Sequence, residues 1–465
     1  MSSSKGEKKN MHAPTNSKTA WHRMGSSATI KLLVISTLAL ALLIPTSMVT
    51  SLVQERMARN AEVTGEINSK WGHPQTITGP ILSIPYAVHI ENLTGQHITT
   101  TEYVHLLPDS IDIKGQVAPE VRYRSIYESI LYGSLLAIEC QFPSLPLKEL
   151  RISPDDIIWS AAAVWIGISD LRGINAPVQG SHNGQTISME PGTEPYDLVS
   201  SGISAAVPIK NQEASHHFSF LLSLNGSRQI DFTPVGKTTT VSVASTWKDP
   251  SFIGAFLPKE RQIDDNGFSA KWQILHLNRN YPQYWKGSLH NLAGSDFGVK
   301  FFKPVDIYQK VIRTVKYALL FMAFTFYALF ITETLVHLRI HPVQYLLTGF
   351  AMIIFYALLL ALSEHVGFNT AYLAASLAII GLISGYARSI LKHPKASRMV
   401  GITMMLLYAY LYVVLQLEAY ALLVGSTGLF AALATVMYLT RRIDWYAISQ
   451  DTARLGSDPV ADAPR

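Results

Sequence analysis

The stretch IKLLVISTLALALLIPTSMVTSL, residues 30–52, decides the class of this protein because it is long and apolar enough to cross a bilayer. A membrane helix needs about 20 apolar residues, since its backbone polar groups find no partner in lipid. Lys31 would lie at the membrane interface, and Pro45 predicts a kink. A cleaved signal peptide is the alternative, but the run is long for one and no small-residue cleavage site follows. We therefore predict a retained signal anchor.

Five further apolar stretches near the C-terminus predict five more membrane helices. They are Tyr317–Thr334, Val343–Leu362, Thr370–Ala387, Gly401–Leu417 and Ala419–Thr440. Very few residues separate the last two, but their combined length requires two crossings. Gly381-x-x-x-Gly385 forms a small-residue face that predicts tight helix contact within the bundle, with a homodimer as the alternative. Six helices place both chain termini on the same side of the membrane.

The distribution of Lys and Arg predicts the orientation of these helices. Residues 53–312 contain 21 Lys and Arg against 25 Asp and Glu, so the rest of the chain contains 17 against 8. The basic residues outside that region lie mainly in the N-terminal tail, the loops after the second and fourth helices, and the start of the C-terminal tail. By the positive-inside rule both termini are cytoplasmic. The basic excess is thus a topology signal, and no nucleic-acid partner is predicted.

The predicted fold class is an α+β membrane protein with a six-helix transmembrane bundle and a large β-rich, sandwich-like periplasmic domain inserted between helices 1 and 2. The predicted regions are a cytoplasmic basic tail (1–29), membrane helix 1 (30–52), the periplasmic β-rich domain (53–312), a five-helix membrane region (313–440) and a cytoplasmic C-terminal tail (441–465). The segment Val53–Lys70 has helical spacing, so it extends the first helix into water until Gly72 and Pro74 end it.

Strand signals begin after Ile77, where short β-branched and aromatic runs replace the helical spacing. These runs include residues 81–90, 97–107, 216–224 and 238–247. Asn225-Gly226 predicts a tight hairpin turn, whereas WSAAAVWIGISD (159–170) is compatible with a helix or a buried strand. The single cysteine, Cys140, excludes an internal disulfide and is interpreted as a small buried hydrophobic residue. We expect a mainly antiparallel domain with one or two sandwich-like lobes.

Three polar residues near the end of the second membrane helix have a spacing that can bind a metal. Glu333, His337 and His341 fall at i, i+4 and i+8, so a continuous helix would place them on one face. Pro342 follows at once, and we therefore favour an interfacial polar cluster and predict no metal site. His216-His217 lies in a strand-like run without a second ligand at a recognisable spacing, which indicates a structural role.

The pair Glu364-His365 lies at the outer end of the third membrane helix. An ionisable pair at a membrane boundary can relay protons or bind an ion, and an ordinary helix end in contact with headgroups is the alternative. The sequence contains no P-loop, dinucleotide fingerprint, G-x-S-x-G or H-E-x-x-H motif. No catalytic residue and no cofactor are predicted.

The stretch STWKDPSFIGAFLPKERQIDDNGFSAKW, residues 245–272, alternates aromatic residues with glycine and proline. The plain interpretation is a turn region whose aromatic side chains fill the core. The competing hypothesis is an interaction surface, because aromatic and Arg side chains are typical of binding hot spots. The residues of this binding hypothesis are Trp247, Phe252, Phe256, Arg261 and Trp272.

Several long stretches resemble the CreD family of bacterial inner-membrane, cell-envelope integrity proteins. They are GPILSIP (79–85), WIGISDLRGI (165–174), EPG (190–192), residues 245–272, HPVQYLLTGFAMIIFYALLLALSEHVGF (341–368) and RIDWY (442–446). The resemblance implies an inner-membrane protein whose production is tied to a two-component stress response. It also implies links to envelope integrity, colicin tolerance and responses to β-lactams. No catalytic residues are established for the family, so none are carried over.

Three functions are compatible with these observations. The leading hypothesis is a non-enzymatic envelope protein, whose periplasmic domain binds or organises an envelope protein, glycan or lipid while the helices contact the bilayer. The second is a transporter or ion-coupled protein that uses Glu364 and His365, and it requires a polar path through the bundle. The third is a periplasmic hydrolase, which requires a pocket with convergent carboxylates or a Ser/His pair.

Overall fold

The computed structural model describes residues 28–91, 97–193, 200–209, 215–288, 290–292, 294–301, 307–336, 340–391, 393–417 and 420–441. The chain divides into two compact units. The first, here called the helical unit, comprises Met1–Met57 and Val305–Arg465, and the second, the β unit, comprises Ala58–Pro304. The helices are α1 (Ala28–Ala41), α2 (Leu43–Trp71), α3 (Leu147–Leu150), α4 (Ile307–Lys316), α5 (Ala318–Val336), α6 (Pro342–Val366), α7 (Phe368–Leu391), α8 (Pro394–Gln416) and α9 (Ala421–Thr440).

By length and composition, four described helices can cross a membrane: the continuous Ile30–Trp71, α6, α7 and α8. Helices α4 and α5, bent by 45°, form a fifth span if they are taken together. The last predicted crossing falls in α9, where the qualifying apolar segment, Leu423–Thr435, is shorter than a bilayer crossing. The six-helix bundle and its orientation therefore stay predictions.

The first membrane helix is interrupted at one residue, Leu42, between α1 and α2, within the continuous span Ile30–Trp71, and the kink expected at Pro45 stays a prediction. The Pro45 ring clashes with the carbonyl of the residue four positions earlier, so a proline disturbs the turn that precedes it. Helix α2 continues to Trp71, as its spacing predicts, and ends at Gly72 with a φ of +150°. A Cβ at Gly72 would lie 2.7 Å from the Asn225 carbonyl oxygen, which explains the glycine.

Packing inside the helical unit differs from the prediction for the Gly381-x-x-x-Gly385 face. A Cβ added at either glycine would have nothing within 4 Å, so these glycines make no tight contact within the described part of the bundle. A close contact between helices forms at Gly349 in α6, where a Cβ would lie 2.2 Å from Leu42 Cδ1. A small residue lets two helices approach where a larger one would separate them.

The β unit contains two sheets. Sheet A comprises β1 (Gln75–Glu91), β2 (His97–Leu106), β5 (Ala163–Ile168), β8 (Glu190–Pro191), β9 (Gly202–Ala206), β11 (Gln229–Thr233), β13 (Pro250–Gly254), β16 (Tyr284–Lys286) and β17 (Phe297–Phe301). Sheet B comprises β3 (Ser110–Arg124), β4 (Tyr127–Phe142), β6 (Gln179–His182), β7 (Gln185–Ser188), β10 (His216–Ser227), β12 (Thr238–Ser245), β14 (Glu260–Asp264) and β15 (Gly267–Leu275). Antiparallel pairing dominates, but β1 pairs with β11 and β12 pairs with β3 in parallel.

The strand order is β13-β17-β11-β1-β5-β9-β8 in sheet A, where β2 also pairs with β1 and β16 pairs with β2. Sheet B has the order β14-β15-β12-β3-β4-β10-β6-β7. Side chains alternate between the two faces of each strand. In β15, for example, Phe268 and Trp272 are buried while Ser269 and Lys271 are exposed. The buried side chains of both sheets form one hydrophobic cluster, so the two sheets share a single core.

Three local predictions are resolved in the β unit. The ambiguous segment 159–170 contains the strand β5, whose residues are almost all buried. The hairpin predicted at Asn225-Gly226 is wrong, because both residues lie inside β10. A Cβ at Gly226 would lie 2.3 Å from the Tyr132 hydroxyl oxygen, so this glycine permits close packing. Cys140 is buried, as predicted, and burial raises the pKa of its thiol.

Candidate functional site

The β unit contains a groove of about 690 Å³ on the solvent-facing side of sheet B, here called the outer groove. Strand register places two rows of side chains across it. The first row is Leu221, Ala137, Lys114, Ser242, Lys271 and Glu260, on β10, β4, β3, β12, β15 and β14. The second row is Leu135, Gln116, Ala244, Ser269 and Gln262. Both rows contain small residues, which give the groove its depth: Ala137, Ser242, Ala244 and Ser269.

The outer groove concentrates positive charge in an otherwise acidic region. Lys114 and Lys271 line it in the first row of side chains, against one acidic residue, Glu260. The backbones of Lys114 and Lys271 are two strand spacings apart, or about 10 Å, with β12 between them. Lys114 Nζ lies 3.4 Å from Asp112 Oδ2 in an exposed pair. Lys271 forms no ion pair within the described chain, so its charge remains available to a ligand.

Apolar surface lies beside these charges. Leu135 and Leu221 are 46% and 37% exposed, on the two neighbouring strands β4 and β10. Exposed leucines need no explanation when they are scattered singly. Here they line the same cavity as the basic side chains, so the groove has a charged part and an apolar part.

The five residues of the binding hypothesis in 245–272 occupy different environments. Trp272 is buried, and its indole Nε1–H donates to the Phe256 carbonyl oxygen at 3.2 Å. Trp247, Phe252 and Phe256 are partly buried and pack against the core. Arg261 is exposed on the edge strand β14, where it pairs with the buried Ala270 and so lies on the opposite face of the sheet from Lys114 and Lys271. Binding through these five residues stays a prediction, and the sequence analysis did not identify the two lysines.

A Ser/His pair is present in sheet A, but it lies inside the core. Ser83 Oγ is 2.9 Å from His105 Nδ1, and Trp165 Nε1–H donates to the same Ser83 oxygen at 2.8 Å. Ser83 and His105 are almost fully buried. A substrate cannot reach this hydroxyl without opening the core, so the pair has the geometry of a packing interaction.

A second cavity, of about 220 Å³, lies at the end of sheet A and has a hydroxyl-rich lining. Thr233 Oγ1 donates to Asp296 Oδ1 at 2.6 Å, and Thr78 Oγ1 lies 2.8 Å from Thr233 Oγ1. Asp231 is buried on the same strand as Thr233 and accepts from Gln229 Nε2 at 2.8 Å. Burial raises the pKa of Asp231 to about 6, with the hydrogen bond from Gln229 lowering it and the negative charge of Asp296 raising it as smaller contributions. The charge of Asp296 thus affects the protonation of Asp231. Both carboxylates contact side chains of the fold itself, Asp231 through Gln229 and Asp296 through Thr233.

Replacement of Asp231 by asparagine is expected to stabilise the β unit at pH 7–8 by about 1–2 kcal/mol. The folded-state pKa lies above the unfolded value of 3.8, so the Asp231 contribution to stability is complete below pH 4 and is lost as pH rises through 6. The gain from Asp231→Asn should therefore disappear in acid. Thermal unfolding of both proteins from pH 4 to 8 measures this difference. An equal effect at pH 4 and pH 8 would contradict the raised pKa of Asp231.

Two carboxylates of the helical unit, Glu364 and Glu333, have hydrogen-bond partners. Tyr308 Oη donates to Glu364 Oε1 at 3.1 Å, and His365 is exposed beside it. Glu333 is buried, and its carboxylate accepts from Lys31, the Ile340 N–H and the Tyr345 hydroxyl. Several buried hydroxyls also donate to carbonyls of their own helix: Thr314, Thr325, Thr332, Thr348, Ser363 and Ser376.

The structure also places the residues considered for metal binding. Among the described residues, no group of three or more His, Cys, Asp or Glu side chains could hold a metal ion. Glu333 pairs with Lys31, His341 caps the N-terminus of α6, and His337 lies outside the described residues. His216 Nδ1 lies 3.0 Å from His182 Nε2, and burial lowers the pKa of both rings.

The Asp170-Leu171-Arg172 segment, which carries part of the family resemblance, forms a structural clasp. Asp170 accepts from the His73 N–H at 2.9 Å and from Arg172 Nε at 2.9 Å. Burial alone would raise the pKa of Asp170, but these hydrogen bonds hold it below its usual value. Gln75 Nε2 donates to the Asp170 carbonyl oxygen at 2.9 Å and to the Asn225 carbonyl oxygen at 3.1 Å. The clasp joins the end of α2 to both sheets, which accounts for these residue types.

Comparison with known proteins extends along almost the whole chain. The family model described as "Inner membrane protein CreD" matches residues 27–446. The Escherichia coli (strain K12) protein named "Inner membrane protein CreD" is 33% identical over 436 residues, which cover 91% of this chain and 95% of that protein. Both units are included in these matches. With the resemblance seen in the separate motifs, they show that the chain belongs to the CreD family of inner membrane proteins.

Proposed function

We propose that this chain supports cell-envelope integrity by binding an envelope component in the outer groove, without catalysing a reaction. In this proposal the helices anchor the protein in the inner membrane, with six crossings and both termini cytoplasmic. The β unit then lies in the periplasm, where the envelope component is accessible. The observation that carries the proposal is the outer groove, because it combines a cavity of ligand size with basic and apolar side chains.

The size and chemistry of the outer groove support binding. Small-molecule sites usually have volumes of about 300–1,000 Å³ and combine apolar surface with a few polar groups. The groove volume of about 690 Å³ falls in that range. Its floor is formed by regular strands, which hold side chains in more defined positions than loops do. A ligand therefore meets a preformed surface.

The two alternative functions receive less support from the contacts of their own residues. The transporter hypothesis relies on Glu364 and His365, but Glu364 is held by Tyr308 and the neighbouring buried hydroxyls bond to their own helices. The hydrolase hypothesis needs an accessible nucleophile, whereas Ser83 and His105 are buried in the core. The CreD family is not a known enzyme family, and we therefore favour binding.

The test is in-cell photocrosslinking of the full chain from residues inside and outside the outer groove. A photoreactive residue at Ala244 or Ser269 lies on the groove floor and is exposed. The control position is Leu277, which is 80% exposed outside the groove. We expect a discrete product from both groove positions and none from the control. Identical products from all three positions, or no product from the groove, would overturn the proposal.

A further inference from the structure

We infer that the ligand of the outer groove is an anionic amphiphile, with a phosphate-type head group and a hydrocarbon chain. Lys114 and Lys271 hold the head group above Ser242, and Leu135 and Leu221 contact the chain. This inference rests on the proposed function, because it names the ligand class of the same groove.

The head-group position follows from strand register. Ser242 pairs with Lys114 on one side and with Lys271 on the other, so its small side chain leaves space between two ammonium groups. Lysine side chains are long and flexible, and two of them can converge on one anion from backbones about 10 Å apart. The Ser242 hydroxyl is able to donate to the same anion.

Charge complementarity selects an anion for this position. Lys271 has no ion-pair partner within the described chain, and the Lys114 contact with Asp112 at 3.4 Å is between exposed groups. The lining includes one carboxylate, Glu260, which is the cross-strand neighbour of Lys271, so the two lysines leave the groove with a net positive charge. The surrounding region 53–312 is acidic, with 25 Asp and Glu against 21 Lys and Arg. The positive charge is therefore specific to the groove and is not a general property of this region of the chain.

The apolar part of the groove selects an amphiphile over a free anion. Ala137 lies between Leu221 and Lys114 in the same row, so the floor is low between the apolar and the charged part. A hydrocarbon chain that starts at the bound head group reaches Leu221 over this alanine and Leu135 in the next row. Burial of these leucines is favourable because it removes apolar surface from water. The described lining residues include no aromatic side chain on which a sugar ring could pack.

The experiment uses a fluorine label in the groove of the purified full-length protein, reconstituted in phosphatidylcholine nanodiscs. Ser269→Cys carries a trifluoromethyl tag, and Leu277→Cys carries the same tag outside the groove. Native Cys140 is buried and stays unlabelled in the folded protein. Because the signal comes from one site, partition of a probe into the bilayer does not imitate binding. The probes are dodecyl phosphate below its micellar concentration, dodecylphosphocholine and inorganic phosphate.

We expect dodecyl phosphate to shift the tag at position 269 saturably and to leave the tag at position 277 unchanged. Dodecylphosphocholine should bind at least tenfold more weakly, because its choline neutralises the head group. The double variant Lys114→Gln/Lys271→Gln should raise the apparent Kd for dodecyl phosphate at least tenfold. The matched control Lys148→Gln/Lys286→Gln removes the same charge from exposed positions outside the groove and should leave Kd unchanged.

Three results would overturn the inference. They are equal affinity for the two amphiphiles, no effect of the Lys114/Lys271 substitutions, and inorganic phosphate as effective as dodecyl phosphate. Identification of the photocrosslinked partner shows whether only the amphiphile inference fails or whether the proposed binding function fails as well. A protein or glycan crosslinked only from groove positions would overturn the amphiphile and retain the binding function. Absence of any groove-specific product would overturn both.

Discussion

Replacement of Glu333 by alanine is expected to destabilise the helical unit by about 3–5 kcal/mol, because it leaves the Lys31 ammonium without a counter-charge. Glu333 is 5% exposed and lies near the end of α5. Its carboxylate accepts from Lys31 in α1, from the Ile340 N–H at 2.8 Å and from the Tyr345 hydroxyl in α6 at 3.0 Å. One carboxylate thus joins three helices. Removing one partner of a buried ion pair lowers the free energy of unfolding by more than the intact pair contributes to it, because the other charge stays buried without a counter-charge.

Two variants separate the charge effect from a general loss of packing. Lys31→Met/Glu333→Gln removes both charges and keeps an oxygen that can accept from the Ile340 N–H or the Tyr345 hydroxyl, so it should recover most of the stability that Glu333→Ala loses. Glu364→Ala removes the matched carboxylate of the Tyr308–Glu364 hydrogen bond, which is part-buried, and should cost about 1 kcal/mol. Reversible unfolding of purified protein in mixed micelles measures all three. Equal losses for the single and double variants at Lys31 and Glu333 would contradict the interpretation.

Replacement of Trp165 by alanine is expected to destabilise the β unit by about 3–5 kcal/mol. Trp165 is fully buried in β5, where the large indole fills the core between the sheets. Its Nε1–H also donates to Ser83 Oγ at 2.8 Å, and that oxygen lies 2.9 Å from His105 Nδ1. Alanine would therefore create a cavity and remove one hydrogen bond from a buried polar pair. Both effects act on the folded state.

A conservative variant separates these two effects. Trp165→Phe keeps most of the ring volume and loses the N–H donor, so it should cost about 1–3 kcal/mol. Leu277→Ala is the control, because Leu277 is 80% exposed and its truncation should change stability by less than about 0.5 kcal/mol. Thermal unfolding of the full-length protein, with limited proteolysis of the β unit, measures each change. A Trp165→Ala loss no larger than that of Leu277→Ala would mean that β5 does not belong to the cooperative core.

The regular elements could be predicted because their signals are local. Apolar length predicts the membrane helices, and alternation of β-branched residues predicts strands such as β10 and β12. Segment 159–170 remained ambiguous, since a strand buried on both faces has no period. The prediction of a turn at Asn225-Gly226 was wrong for a related reason. A glycine that allows Tyr132 to approach and a glycine that allows a turn look alike in sequence.

The lysines of the candidate site could not be predicted from the sequence. The binding hypothesis named Arg261, which lies on the opposite face of sheet B, whereas Lys114 and Lys271 lie in ordinary alternating strands. They line the same cavity because β12 pairs in parallel with β3 and antiparallel with β15. The aromatic residues of the same stretch have the composition of a binding surface, but Trp272 is buried. Burial depends on which sheet covers a strand, and no pattern within one strand reports it.

The sequence alone is enough to derive a membrane-anchored chain with a large β-rich region, because each segment carries its hydropathy and composition independently of its neighbours. The long family motifs add its membership of the CreD family. Strand register, the shared core of the two sheets and the Lys31–Glu333 pair became visible with the folded chain. The physical reason is that these contacts join segments far apart in sequence. Their free energy depends on the distance and burial of both partners, and neither quantity belongs to one segment alone.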